Sequence, residues 1–173
     1  MPTHIAQRTL VHCPAAQAAG RLNAYMRELG GGNGDAAQLS LFIQPRVPGL
    51  SADLRLERAV RVTLKPRTRS SDMTPHYAIH WESAEPGPFP TFDGELRVEN
   101  DEDYDAFALV VEGSYEPPFG LLGESFDRIV GARIAATCTR NLVAGIAEAV
   151  ESAFAADEAR KVAASVRSAS AGT

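Results

Sequence analysis

The stretch GSYEPPFGLLGESFD, residues 113–127, decides how the chain is read. It opens as the end of a strand, breaks at Pro117 and Pro118, and restarts as a helix. Neither proline can donate a ladder hydrogen bond, so together they end the strand. Gly120 and Gly123 then let the backbone turn sharply. From Glu124 to about Ala156 the sequence contains no proline, and Cys138, Leu142, Ile146, Ala149, Val150 and Ala153 recur at helical spacing. The corner therefore carries the chain from a sheet edge onto a sheet face, and the helix is expected to cross the concave face near Gly113, where no side chain obstructs it. Phe126, Val130 and Ile134 project from nearly the opposite side, which calls for burial on two sides or a bend near Gly131 or Gly145.

Upstream of the corner the elements follow in a clear order. Residues 6–12 (AQRTLVH) read as a short strand. Pro14 suits a first helical turn, where its missing N–H costs nothing. Ala15, Ala18, Ala19, Leu22, Met26 and Leu29 mark one short helix, which Gly30 caps. The following GGGNG ends a helix instead of beginning one and lacks a Gly-Lys-Ser/Thr sequel, so it is a turn and not a phosphate cradle. Strands are expected at 37–44, 57–65, 76–83, 91–99 and 105–115, each alternating apolar and polar residues. Their short connections join antiparallel neighbours. The fold class is α+β: about six antiparallel strands, one short N-terminal helix and one long C-terminal helix.

A chain of 173 residues supports one domain, placed at 1–156. The remainder, DEARKVAASVRSASAGT, loses large apolar residues and is expected to be a brief helix end followed by a disordered polar tail. A formal net charge of −5 disfavours nucleic acid as a partner. The stretch from Arg55 to Arg69 is basic, but alternation makes Arg61, Thr63 and Lys65 a solvated strand face. No apolar run reaches the roughly 20 residues that span a bilayer, so no integral membrane association is expected. The N-terminus lacks the basic-then-apolar order of a signal peptide, which makes the cytoplasm the expected location. There Cys13 and Cys138 are reduced thiols, and neither has CxxC spacing.

The order strand, helix, antiparallel strands, long helix resembles the helix-grip fold of the START-like (SRPBCC) superfamily. The run Gly113-Ser-Tyr-Glu-Pro-Pro-Phe-Gly-Leu-Leu-Gly, with Asp127 and the helix after it, is similar to an uncharacterised subgroup described as polyketide cyclase/dehydrase-like. Trp81 and the strand holding Phe92-Asp93-Gly94 also resemble it. The likeness covers roughly residues 5–155. One departure is that a single short helix separates the first two strands, where many members have two. The resemblance implies a curved sheet gripping the long helix around a cavity for a lipid-, sterol- or polyketide-like ligand. The candidate ligand-binding residues are Tyr77, Trp81, Phe92, Phe107, Tyr115, Phe126 and Arg133, weighed against a simple filled core for the aromatic residues and a solvated face for Arg133.

Catalytic constellations are not legible. His76 and His80 share a strand face, but four residues at about 3.3 Å each set them roughly 13 Å apart, too far to chelate one ion. Asp127 in a first helical turn complements the helix dipole. Glu112 lies on the outer face of the last strand, where solvation explains it. No cofactor, metal or catalytic residue is expected, and the reading is a non-catalytic small-molecule binder. Two alternatives stand beside it: a cyclase or hydrolase acting in the same cavity, and an interaction module that dimerises through a sheet face. Ala106, Ala108 and Val110 support the second, being apolar on the outer side of the last strand.

Overall fold

A computed structural model describes residues 3–29, 37–43, 58–67, 74–86, 91–100, 105–116 and 124–170. The elements are β1 (Thr3–Val11), α1 (Ala15–Leu29), β2 (Ala37–Ile43), β3 (Arg58–Pro66), β4 (His76–Ser83), β5 (Thr91–Asn100), β6 (Phe107–Glu116) and α2 (Glu124–Ser170). The strands fall close to their expected bounds. β1 starts earlier than expected because it pairs along its whole length with β6, from Thr3 opposite Tyr115 to Val11 opposite Phe107. Residues 117–123, the heart of the proline–glycine corner, lie outside the described residues.

The six strands form one antiparallel sheet in the order β1-β6-β5-β4-β3-β2. Alternation along each strand sends one set of residues to the core. Val60, Val62 and Leu64 of β3, Tyr77, Ile79 and Trp81 of β4, and Phe92, Leu96 and Val98 of β5 are all buried together with Phe107, Leu109, Val111 and Tyr115 of β6. α2 contributes Ala135, Cys138, Leu142, Val143, Ile146, Ala147 and Val150 to the same core. It lies chiefly along β1, touches β6, and reaches β2 at the opposite edge of the sheet. A sheet whose two edge strands both approach one helix is curved around it. The fold is a helix grip.

Curvature has a local cause. Gly94 and Gly113 stand opposite each other on β5 and β6. A Cβ on Gly113 would lie 2.3 Å from the Asp93 carbonyl oxygen and 2.6 Å from the Phe92 ring. One on Gly94 would lie 2.4 Å from the Glu112 carbonyl oxygen and 2.8 Å from the same ring. Paired glycines leave the two strands free to bend here and let the ring lie over both backbones. The reason for Gly113 thus differs from the expected one: its nearest neighbours are Phe92 and the β5 backbone, not α2.

α2 also runs further than expected. The helix continues through Asp157 to Ser170, over residues read from the sequence as a brief helix end and a disordered polar tail. Alanine at 155, 156, 159, 163 and 164 favours helix strongly, and a helix already anchored upstream needs no new nucleus. Ion pairs Arg160–Asp157 and Lys161–Glu158 support this part.

α1 is fastened to α2 at its far end. The Arg21 guanidinium sits 5.1 Å from the centre of the Phe154 ring and donates to Asp157 Oδ2 at 3.0 Å. Gln17 Oε1 accepts from the same guanidinium at 2.8 and 3.0 Å, so its planar fork is fully oriented. Near the start of α1, the His12 backbone N–H donates to Glu151 Oε1 at 2.7 Å and ties the turn after β1 to α2.

Candidate functional site

The register brings some of the candidate aromatic residues together and separates others. Trp81 stands opposite Phe92, and Phe92 opposite Tyr115, so the three form one row across β4, β5 and β6 on the concave side. The Trp81 and Phe92 rings stack with centroids 5.6 Å apart and planes 9° from parallel, a geometry that adds about 0.5–1.5 kcal/mol beyond burial. All three side chains are fully buried. The adjacent row, Ile79, Gly94, Gly113 and Ile5, supplies two positions without side chains beside them. This row sits at the end of β6 from which the chain leaves for α2.

The remaining candidates lie elsewhere. Tyr77 is four residues from Trp81 on β4, and its hydroxyl donates to Asn23 Oδ1 at 2.7 Å. That bond joins the sheet to α1, and burial pushes the phenol up from its ordinary value. Its hydroxyl is committed to holding α1. Phe107 is buried at the opposite end of β6, eight residues or roughly 26 Å from Tyr115. Arg133 is exposed on α2, as is Asn141, while Thr137 is half-buried. Phe126 and Asp127 fall in the first turns of α2, with side chains outside the described residues. The same holds for Val130 and Ile134, whose opposed direction the sequence raised.

The concave positions of β4 to β6, with Val60, Val62 and Leu64 of β3, carry no acidic or basic side chain. Tyrosine is their one titratable type besides apolar, glycine, serine and asparagine residues. The surface they make suits an apolar, uncharged molecule. The two cysteines border this core as buried free thiols, and burial raises both above their usual range. Raised thiols are protonated at neutral pH and poor nucleophiles. No group of three metal-ligating side chains occurs among the described residues.

The convex side is built on charge. Arg97 donates to Glu112 at 2.7 and 3.0 Å and to Glu99 at 3.0 and 3.2 Å. Arg8 reaches Glu99 at 3.7 Å, Arg61 reaches Glu82 at 3.4 Å, and Arg67 pairs with Glu95. His80 Nδ1 lies 2.8 Å from Asp93 Oδ1. Glu112 is thus a paired residue and not merely a solvated one; its hydrogen bonds to Arg97 hold its carboxyl below the usual carboxylate range. A depression of about 600 Å³ opens on this side, lined by Thr63, Lys65, Arg67, His80, Asp93 and Glu95 among others. Its walls are charged and open to solvent, which makes it a poor seat for an apolar ligand. The apolar residues in and just before β6 that pointed to dimerisation are covered: Ala106, Ala108 and Val110 are buried within the single chain. Val110 is flanked in register by Arg8 and Arg97, and Ala108 by Leu10 and Glu99, all longer side chains. These three residues therefore offer little apolar area of their own to a second copy.

No family model and no curated protein matches the chain. Solved structures that resemble it include a START superfamily protein from Mycobacterium smegmatis, at 10% identity over 87% of this chain and 96% of the other, with a TM-score of 0.42. A protein from Thermus thermophilus shares 14% identity over 87% and 99% of the two chains, also with a TM-score of 0.42. The Zhui aromatase/cyclase from a Streptomyces species shares 14% identity over 94% and 96%, with a TM-score of 0.34. At this distance both fold and site rest on the chain's own residues. No helix among the described residues is long and apolar enough to cross a membrane.

Proposed function

We infer that the protein binds a small apolar molecule between the concave sheet face and α2, at the end where Trp81, Phe92 and Tyr115 lie in one cross-strand row. The observation that carries this reading is the row itself, in which Trp81 and Phe92 stack and Tyr115 stands opposite Phe92 on the neighbouring strand. Two stacked rings and a phenol make one broad face, with the Phe92 ring laid over Gly94 and Gly113, and the concave positions of β4 to β6 around it carry no charge. Such a surface recognises shape and apolar area, as expected for a lipid-, sterol- or polyketide-like ligand. Binding without catalysis is part of the same proposal, and the apolar make-up of the described concave positions of β4 to β6 supports it. Tyr77 contributes by holding α1 against the sheet and not by touching the ligand.

Native mass spectrometry of protein purified without detergent tests the reading. The expected result is a non-covalent adduct of lipid-like mass that organic extraction removes and a defined apolar compound restores. Apo protein alone, combined with no binding across fatty acids, sterols and fused-ring aromatics, overturns it.

A further inference from the structure

The depression on the convex face, about 600 Å³ in volume, has no part in the apolar-ligand reading. Ala78 of β4 forms its floor. Alanine is a poor strand former, and it leaves a gap where a branched or aromatic side chain would pack on its neighbours. The residues around it on this face are longer. Lys65 stands directly opposite Ala78 on β3, Glu95 directly opposite on β5, and His80 two residues away on β4 itself. One short side chain ringed by long ones makes the hollow.

Charge is divided between its two walls. Lys65 and Arg67 stand on the β3 side, Asp93 and Glu95 on the β5 side. Arg67 and Glu95 are already joined to each other. Asp93 uses Oδ1 for His80 Nδ1 at 2.8 Å, yet its side chain is 74% exposed, which leaves its other oxygen open to a donor. Lys65 is exposed and has no carboxylate partner among the described residues, because Glu95, the acid in its own cross-strand row, is taken by Arg67. One wall thus offers an unpaired ammonium and the other a half-used carboxylate.

We propose that this depression binds a small zwitterion with well-separated charges, of the size of a γ-amino acid or a dipeptide. Its carboxylate meets Lys65, with the Thr63 hydroxyl beside it, and its ammonium meets Asp93. β3 and β5 are two strand spacings apart, about 10 Å, and a hydrogen bond takes about 3 Å at each end. That leaves about 4 Å straight across and about 6 Å on the Lys65–Asp93 diagonal, more than an α-amino acid spans. The divided walls also select against singly charged molecules. A plain anion faces Asp93 and Glu95, and a plain cation faces Lys65 and Arg67. Both contacts are open to water, so binding is weak and falls with salt. The inference rests on convex residues alone and is independent of the apolar-ligand reading.

Amide-resolved NMR of the full chain, titrated with glycylglycine at low salt, tests the proposal. Saturable shifts are expected at Lys65, Ala78, His80 and Asp93, with a dissociation constant in the millimolar range. N-Acetylglycylglycine lacks the ammonium and glycylglycinamide the carboxylate, and each should bind about fivefold more weakly. Lys65→Met should weaken glycylglycine binding by a similar factor and leave the thermal midpoint unchanged, because the lysine leaves no partner behind. Ala78→Ile fills the floor, so it should abolish binding while the thermal midpoint stays level or rises. Lys161→Met, on α2, should bind as wild type does. Shifts that fail to saturate, either analogue binding as tightly as glycylglycine, or full binding by Lys65→Met or by folded Ala78→Ile overturns the proposal.

Discussion

On β5, Phe92, Gly94 and Leu96 point to the concave side, while Asp93, Glu95 and Arg97 point to the convex side, and the two sets are held by different forces. Inside, the Trp81–Phe92 stack and the glycines beneath it depend on shape, because each atom is in contact and nothing is screened. Outside, Arg97 makes four hydrogen bonds to Glu99 and Glu112, yet its side chain and theirs remain 28–41% exposed. Water and salt weaken each of those pairs. One residue of separation along a strand therefore moves a position from intolerance of a methyl group to tolerance of a lost charge.

The strongest break in that contrast is Phe92→Ala. It removes the ring that covers the two glycines and leaves Trp81 without its stacking partner. A loss of about 3–5 kcal/mol is expected in urea denaturation. Gly113→Ala acts on the same contact from below and should cost about 1–3 kcal/mol, through the Asp93 carbonyl and the Phe92 ring. The two changes should be less than additive, since removing the ring relieves part of the second clash. Additive losses would mean that Phe92 is not what confines Gly113.

Arg97→Met on the convex side should cost only about 0.2–1 kcal/mol, and less in high salt. Its pH dependence has a definite sign. Arg97 holds the folded-state value of Glu112 below the unfolded one. The pair therefore stabilises the fold above the ordinary carboxylate value of about 4.3 and loses that contribution as pH falls through the lower folded value. Urea midpoints of wild type and Arg97→Met should differ at neutral pH and converge in acid. A constant gap across that range would assign the arginine's effect to packing alone.

The same contrast explains what the sequence made legible. Alternation is imprinted on strands with one buried and one solvated face, so all six strands were readable nearly to their ends, as was the short helix, whereas the long one was legible only to about Ala156. Partnership across strands is not written in any single segment. Trp81, Phe92 and Tyr115 were recognisable as inward residues, but only the register sets them in one row and removes Phe107 to the far end of β6. Glu112 read as solvated for the same reason, because Arg97 is distant in sequence. Ala106, Ala108 and Val110 read as an open apolar patch because their coverage comes from neighbouring strands. The end of α2 read as a tail because its helix lacks a buried face, and periodicity reports burial more than helicity.

The central claim, that the Trp81–Phe92–Tyr115 end of the concave face receives an apolar ligand, is tested most directly by tryptophan fluorescence. The chain has one tryptophan, Trp81, so its emission reports this row alone. Titration of delipidated protein with a long-chain fatty acid, a sterol or a fused-ring aromatic should change that emission saturably with at least one of them. The change should vanish in a Tyr115→Ala variant that retains the wild-type far-ultraviolet circular dichroism. Emission that stays constant across all three ligand classes in folded wild-type protein would contradict the account and leave the aromatic row as filled core.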